Sequence, residues 1–215
     1  MTTTVLLADD HTMLRQGLRS LLEQEAGLEV VGEASDGRTA VRMARELAPQ
    51  VVIMDVAMPE LNGIEATRQI VADLPGARVI ALSMHSSKRM VVEMLRAGAS
   101  GYVLKLSAFD ELAQAVQTVA AGGRYLSPSV AGVVVDELVS PEAPSSAFSA
   151  LTPREREVLQ LLAEGNNTKE IAAILQITAR TVDVHRKRVM DKLGMNSVAE
   201  LTRYAMREGL VPLDG

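Results

Sequence analysis

Three aspartates, a serine and a lysine each stand directly after a short apolar run, and they are the residues with the clearest capacity for chemistry. Thr4–Ala8 is followed by Asp9-Asp10, Val51–Met54 by Asp55, Arg78–Leu82 by Ser83 and Tyr102–Leu104 by Lys105. Carboxylates packed together repel, and some keep their protons unless a cation compensates. Hard oxygen ligands in an open, partly hydrated geometry suit Mg²⁺, which takes one or two carboxylates plus phosphate oxygens. A lysine beside such a pocket neutralises charge on a transferred phosphoryl group, and a serine can donate to a phosphate oxygen. An aspartate held by metal and lysine can itself be the nucleophile, forming an aspartyl phosphate. Plainer readings stand beside these: Asp55 as a turn residue, Asp9 as a helix N-cap, Ser83 as a strand-end residue. His85 reads as a solvated loop histidine and is assigned no role.

The elements that must position these residues follow from periodicity. Val51-Val52-Ile53-Met54 is unbroken and mostly β-branched, the mark of a strand buried on both faces of a parallel sheet. Shorter apolar runs at 4–8, 78–83 and 102–104, with Leu28–Ala34, supply four more strands. Between them lie helical patterns: Leu14, Leu18, Leu21 and Leu22; Ala40, Val41, Ala44 and Leu47, stopped by Pro49; Ile64, Ile70 and Val71 after Asn62-Gly63; and Lys88–Ala97, closed by Gly98. Phe109–Ala121, closed by Gly122-Gly123, completes the series. Strand and helix thus alternate five times. A doubly wound five-stranded parallel sheet with right-handed crossovers is expected, its strand ends converging on one edge.

Bulk properties narrow the setting. The 215 residues suit two small domains. There is no cysteine, hence no disulfide framework or thiolate metal site. The start lacks a basic-then-apolar leader, and no run approaches the ~18–20 apolar residues that span a bilayer. A cytoplasmic protein without a membrane partner is expected. Residues 146–215 carry a net charge of +1 and the remainder −6, which suggests domains with different partners.

The order Asp9-Asp10, then Asp55-x-x-Met58-Pro59-x-x-Asn62-Gly63, then Ser83 and Lys105 resembles the receiver domain of two-component response regulators, over about residues 4–121. The resemblance implies that Asp55 is the phosphoacceptor. It implies that Asp10 and Asp55 bind Mg²⁺, with Asp9 assisting and the backbone carbonyl of Ala57 as a further ligand. Lys105 would pair with the phosphoryl group, Ser83 would be the switch hydroxyl, and Tyr102 the aromatic whose rotamer follows it. Tyr102 can equally be a half-buried packing residue. One departure is that Leu106 follows Lys105 where many receivers place proline.

Residues 122–146 read as a linker. Leu126–Val139 carries a short amphipathic pattern, and Ser140–Ala147 is rich in proline and serine. Residues 147–212 then read as a small all-α domain of four helices. Thr152-Pro153-Arg154-Glu155 opens the first, Thr168-Lys169-Glu170 the second, Thr178 the third, and Ser197 to Glu200 the fourth; Gly165, Gly194 and Gly209 close three of them. The second and third have helix-turn-helix spacing, over about 167–186. On the third, Val182, Val189 and Leu193 face the core, which turns Arg180, Asp183, Val184 and Lys187 outward with Arg186, Arg188 and Lys192 flanking. A helix of this kind can enter the major groove; the plainer reading is a solvated charged face.

Leu151-Thr152-x-Arg154-Glu155-x-Glu157-Val158-Leu159, Glu170-Ile171-Ala172-x-x-Leu175, Thr181-Val182-x-x-His185 and Lys192-Leu193-Gly194 are similar to the LuxR-type DNA-binding domain. The resemblance implies that Asp183, Val184 and Lys187 read bases while Arg180, Thr181 and Arg188 contact phosphates. Basic side chains are frequent where Asp183 stands; an acidic residue there would accept from a cytosine amino group or repel non-specific DNA. His185 is expected to be partly buried. Leu201, Tyr204 and Ala205 offer a dimer face or, for Leu201 at least, an intradomain core.

The whole chain therefore resembles the NarL/FixJ class of response regulators. That implies a transcriptional regulator, not a dedicated enzyme. A partner histidine kinase would phosphorylate Asp55 with Mg²⁺ bound, and the homodimer would bind double-stranded operator DNA. The rivals are an Mg²⁺-dependent phosphohydrolase, for which no separate general acid is evident, and a constitutive DNA-binding protein whose receiver takes no phosphate.

Overall fold

The computed structural model describes residues 2–84, 86–139 and 147–211, so His85 and the 140–146 stretch lie outside the described residues. The chain forms two compact units that divide within that stretch.

In the first unit, strands β1 (Thr3–Ala8), β2 (Leu28–Ala34), β3 (Val51–Asp55), β4 (Arg78–Ser83) and β5 (Gly101–Leu104) alternate with helices α1 (Thr12–Gln24), α2 (Gly37–Leu47), α3 (Gly63–Asp73), α4 (Lys88–Arg96) and α5 (Ala108–Ala120). The expected five-stranded count is corrected to six. Tyr125–Leu126 forms a short β6, and the strand order is β2-β1-β3-β4-β5-β6, parallel throughout. Two residues carry no detectable period, which is why β6 is silent in the sequence. The amphipathic stretch before the linker forms α6 (Pro128–Val139), so β6 and α6 extend the first unit into the segment read as linker. Glu137 on α6 pairs with Lys88 and Arg96 at 3.3 and 3.5 Å, fastening α6 to α4. The buried Ser127 hydroxyl accepts the Leu104 amide (3.3 Å) and donates to Glu111 Oε2 (2.5 Å), tying β6 to β5 and α5.

Every residue of β3 is buried, as its unbroken apolar run requires. Val51 and Ile53 join Val5, Leu7, Ile80, Leu82 and Val103 in one core with Leu18 and Leu22 of α1 and Leu112, Val116 and Val119 of α5. By the two-residue period of a strand, Val52 and Met54 face the opposite side, and they too are fully covered. The strand order reverses between β1 and β3, which puts the crevice at their carboxyl ends.

The second unit contains α7 (Pro153–Ala163), α8 (Thr168–Leu175), α9 (Ala179–Leu193) and α10 (Val198–Arg207). Three helices start with capping boxes, Thr152 with Glu155, Asn167 with Glu170 and Ser197 with Glu200, and Thr178 caps α9 by accepting from the Thr181 amide. The α8–α9 turn is tight because Gln176 takes a left-handed conformation, φ 52°. Val158, Leu159, Leu162, Ile171, Leu175, Val182, Val189, Leu201 and Ala205 form the core. Leu201 and Ala205 are fully buried there with Tyr204 packed against them, so this face of α10 serves the intradomain core. Among the described residues, no helix is long and apolar enough to cross a membrane.

Candidate functional site

The strand ends do converge. Asp9 follows the last residue of β1, and its amide bonds to the Ala34 carbonyl at 3.1 Å. Asp55 closes β3 with its carboxylate against the Lys105 ammonium, Oδ2 to Nζ 2.6 Å. The same Nζ lies 2.8 Å from Asp9 Oδ2, so one lysine bridges two aspartates from different strands. All three residues are buried. The Ala57 amide donates to Asp55 Oδ1 at 3.2 Å, which fixes the carboxylate plane from its own loop. Gly63 packs so closely under this loop that a Cβ there would lie 2.0 Å from the Asp55 carbonyl oxygen, a close approach only glycine permits.

The electrostatics follow from burial. Desolvation pushes the Asp55 carboxyl up from 3.8 to about 7; Lys105 pulls it back, and Asp9 adds to the rise. Burial pulls the Lys105 ammonium down, but the ion pairs with Asp55 and Asp9 outweigh it and leave it raised. Asp10 is half-exposed at the rim, with its buried Oδ1 2.7 Å from His11 Nδ1. Asp9 is not the N-cap of α1 that one reading expected: its Oδ1 accepts the His11 amide at 2.8 Å just before the helix, while Oδ2 faces Lys105. His11 itself occupies the N-cap position.

Ser83 is buried, and its hydroxyl bonds to that of Tyr102. Tyr102 is fully buried, not half-buried, and burial pushes its hydroxyl up to about 12. The Lys105–Leu106 peptide bond is trans, and Leu106 is largely exposed.

The donor set fits a hard divalent cation. Ligand atoms of Asp9, Asp10, His11 and Asp55 lie within 4.8 Å of one another, with Asp9 Oδ2 held by Lys105 at 2.8 Å and Asp10 Oδ1 beside His11 Nδ1 at 2.7 Å. Oxygen donors dominate, the preference of Mg²⁺. The sequence reading left His11 out, because a histidine before an apolar-periodic segment reads as part of the helix start.

On the second unit, Arg180, Asp183, Val184, Lys187 and Arg188 are exposed along α9, with Thr181 half-buried and hydrogen-bonded to Thr178. Val184 is 44% exposed, an apolar side chain among charges. Among the described residues, Arg180, Lys187 and Arg188 make no ion pair. Two expected flanking cations are engaged elsewhere. Arg186 pairs with Asp183 at 3.1 Å and reaches Thr168 of α8 at 3.5 Å. Lys192 turns inward to Glu155 at 2.7 Å and the Ala150 carbonyl at 3.0 Å. His185 is half-buried as expected, with its pKa lowered by burial and by the nearby Arg154 and Arg188.

Known proteins match this arrangement from end to end. Residues 5–117 match the family described as response regulator receiver domain, and residues 149–205 that described as bacterial regulatory proteins, luxR family. The transcriptional regulatory protein MctR of Rhizobium johnstonii is 42% identical over 207 residues, spanning 96% of this chain and 94% of its own. Response regulator UvrY of Escherichia coli is 37% identical over 206 residues, again spanning 96% and 94%. Among solved structures, the complex of the two-component response regulator RcsB with DNA aligns at TM-score 0.60 and 29% identity over 95% of this chain and 98% of that one. Both halves, in this order and at this coverage, place the chain in one family: it belongs to the LuxR-type response regulators, a receiver domain followed by a LuxR-type regulatory domain.

Proposed function

We propose that this protein is a transcriptional regulator whose DNA binding is controlled by phosphorylation of Asp55, with residues 4–121 as receiver, 122–146 as the join and 147–212 as the DNA-binding domain. The observation that carries this reading is the Asp55–Lys105–Asp9 bridge at the carboxyl edge of the sheet, 2.6 and 2.8 Å long. It gives one aspartate a cation at bonding distance and an acidic neighbour, the surroundings an acyl phosphate needs. In the reaction, an Asp55 oxygen attacks the phosphorus of a partner kinase's phosphohistidine. The new O–P bond forms as the N–P bond to the imidazole breaks. Lys105 meets the charge on the transferred group, and Ser83 donates to one of its oxygens.

Asp10, Asp55 and the Ala57 carbonyl hold Mg²⁺ in this reading, assisted by Asp9. Bound Mg²⁺ supplies charge compensation for the carboxylates and the phosphoryl oxygens. Burial leaves Asp55 partly protonated near neutral pH, since its pKa is pushed up to about 7; only the ionised form is a nucleophile. The Ser83–Tyr102 hydrogen bond couples the pocket to β5: a phosphoryl group that recruits Ser83 competes with Tyr102 and biases a two-state equilibrium.

On α9, Asp183, Val184 and Lys187 read base edges and Arg180, Thr181 and Arg188 hold phosphates. The solved RcsB–DNA complex supports this use of the second unit. The regulatory domain's net charge of +1 argues for paired domains on two half-sites, since each monomer neutralises few phosphates. A phosphorylation-driven homodimer in the cytoplasm is the form proposed to act.

Sedimentation and intact-mass measurement of wild type and Asp55→Ala, with a small phosphodonor and Mg²⁺, test this reading. Wild type is expected to gain one phosphoryl group, dimerise and bind operator DNA more tightly, with all three lost in Asp55→Ala. Equal phosphoryl uptake by both proteins would overturn the assignment of Asp55, and operator affinity indifferent to phosphodonor would overturn the control.

A further inference from the structure

His11 takes no part in the scheme above, yet its ring, with the side chain 63% exposed, lies at the mouth of the pocket. Its amide donates to Asp9 Oδ1 at 2.8 Å, which fixes its backbone beside the carboxylates. Its Nδ1 lies 2.7 Å from Asp10 Oδ1, 3.2 Å from Asp9 Oδ1 and 4.0 Å from Asp55 Oδ2. Metal–ligand bonds of about 2.1 Å put adjacent donors of an octahedral ion about 3.0 Å apart and opposite donors about 4.2 Å apart. The distances to Asp9 and Asp55 fall within that range, the 2.7 Å to Asp10 is shorter, an ion-pair distance, and the Lys105 ammonium lies 3.4 Å from the same nitrogen.

The chemistry of the donor set changes once nitrogen is included. Carboxylates and a carbonyl form a hard oxygen set suited to Mg²⁺, whereas an added imidazole favours Co²⁺, Ni²⁺ and Zn²⁺ by ligand type and by the general order of divalent affinities. We infer that His11 is a further side-chain ligand of this pocket, contributing Nδ1 and tilting its selectivity from Mg²⁺ toward nitrogen-seeking divalent ions. This rests on the pocket being the cation site proposed above. Its consequence is that the identity of the bound ion, set by one residue outside the aspartate pattern, tunes the receiver.

Calorimetric titration of full-length, tag-free protein with Mg²⁺ and with Co²⁺ at one fixed pH tests it, using wild type, His11→Gln and Asp10→Asn. Wild type is expected to bind Co²⁺ about 100-fold more tightly than Mg²⁺. His11→Gln is expected to narrow that ratio by about tenfold or more and to shift the visible absorption of bound Co²⁺. Independently of any variant, ¹⁵N spectra of wild-type histidine rings should show one Nδ1 resonance moving with Zn²⁺ and none with Mg²⁺. An unchanged ratio and Co²⁺ spectrum in His11→Gln, or no ring nitrogen responding to Zn²⁺, would overturn the inference. Asp10→Asn separates the two levels: it should weaken both ions. If it weakens neither, the pocket is not the cation site and the underlying reading fails; if it weakens both while His11→Gln leaves the ratio intact, only the role of His11 falls.

Discussion

Lys105 and Lys187 stand for the two working regions of this molecule. Lys105 is almost entirely covered and meets Asp55 and Asp9 within 3 Å. Lys187 projects from α9 with no ion pair among the described residues. The receiver pocket is an internally neutralised cluster whose geometry is fixed by burial. The α9 face keeps Arg180, Lys187 and Arg188 in water, available to an outside polyanion. Chemistry at a single atom benefits from the first arrangement, because displaced groups cost free energy in a low-dielectric site. Recognition of a long charged ligand benefits from the second, because the counterions are released only when the ligand arrives.

The contrast is broken most directly at Lys105. Lys105→Met leaves two buried carboxylates without their cation, and a loss of about 3 kcal/mol is expected in urea unfolding at pH 8 without divalent ions. A loss below about 1 kcal/mol would mean that water or protonation relieves the site easily. Gly63→Ala comes next. Alanine near a helix start ordinarily gains about 0.5–1 kcal/mol over glycine, but the 2.0 Å approach of its Cβ to the Asp55 carbonyl reverses the sign. A cost of about 2 kcal/mol is expected, with slower phosphoryl uptake as the Asp55 loop is displaced; a neutral or stabilising result would refute the close approach.

A smaller effect sharpens the comparison through pH. The Asp55 pKa is raised from 3.8 to about 7 on folding, so the folded state binds more protons than the unfolded one in that interval. The stability due to this group is present below about pH 4 and is lost as pH rises through about 7. Without divalent ions, wild type should therefore lose stability from pH 5 to 8 relative to Asp55→Asn, by about 1 kcal/mol or more. Parallel pH profiles for the two proteins would contradict it. The smallest change in stability belongs to the open face: Lys187→Ala should alter unfolding by less than about 0.5 kcal/mol. Its operator affinity should nonetheless fall several-fold, by about 1 kcal/mol, with altered base preference. An Arg188→Ala comparison, scored by salt titration, should lower the log–log salt slope by about one unit; an unchanged slope would remove Arg188 from the phosphate contacts.

The pocket was legible in sequence because a buried parallel strand leaves a signature at both ends of its logic. Val51–Met54 can be nothing but apolar when covered on both faces, and a polar residue directly after it stands at the crevice. The same rule placed Asp9, Ser83 and Lys105. What the sequence withheld are choices made by geometry between equivalent partners. Nothing in composition says that Arg186 turns to Asp183, that Lys192 turns to Glu155, or that Tyr102 is wholly enclosed. In the sequence, Asn62-Gly63 marks only the start of a helical pattern. Asn62 does cap α3, but the demand on Gly63 is clearance from the Asp55 backbone, a contact no local pattern encodes.

The two-residue β6 has a consequence for life at high concentration. A sheet that stopped at β5 would present unpaired backbone groups to any passing strand, the usual route to aggregation. Here the Ser127 amide takes the Tyr102 carbonyl at 2.9 Å and its hydroxyl takes the Leu104 amide at 3.3 Å. A strand too short to template another, finished by a side chain, closes that margin. Ser127 is thus a guard against self-templating at the edge of the sheet.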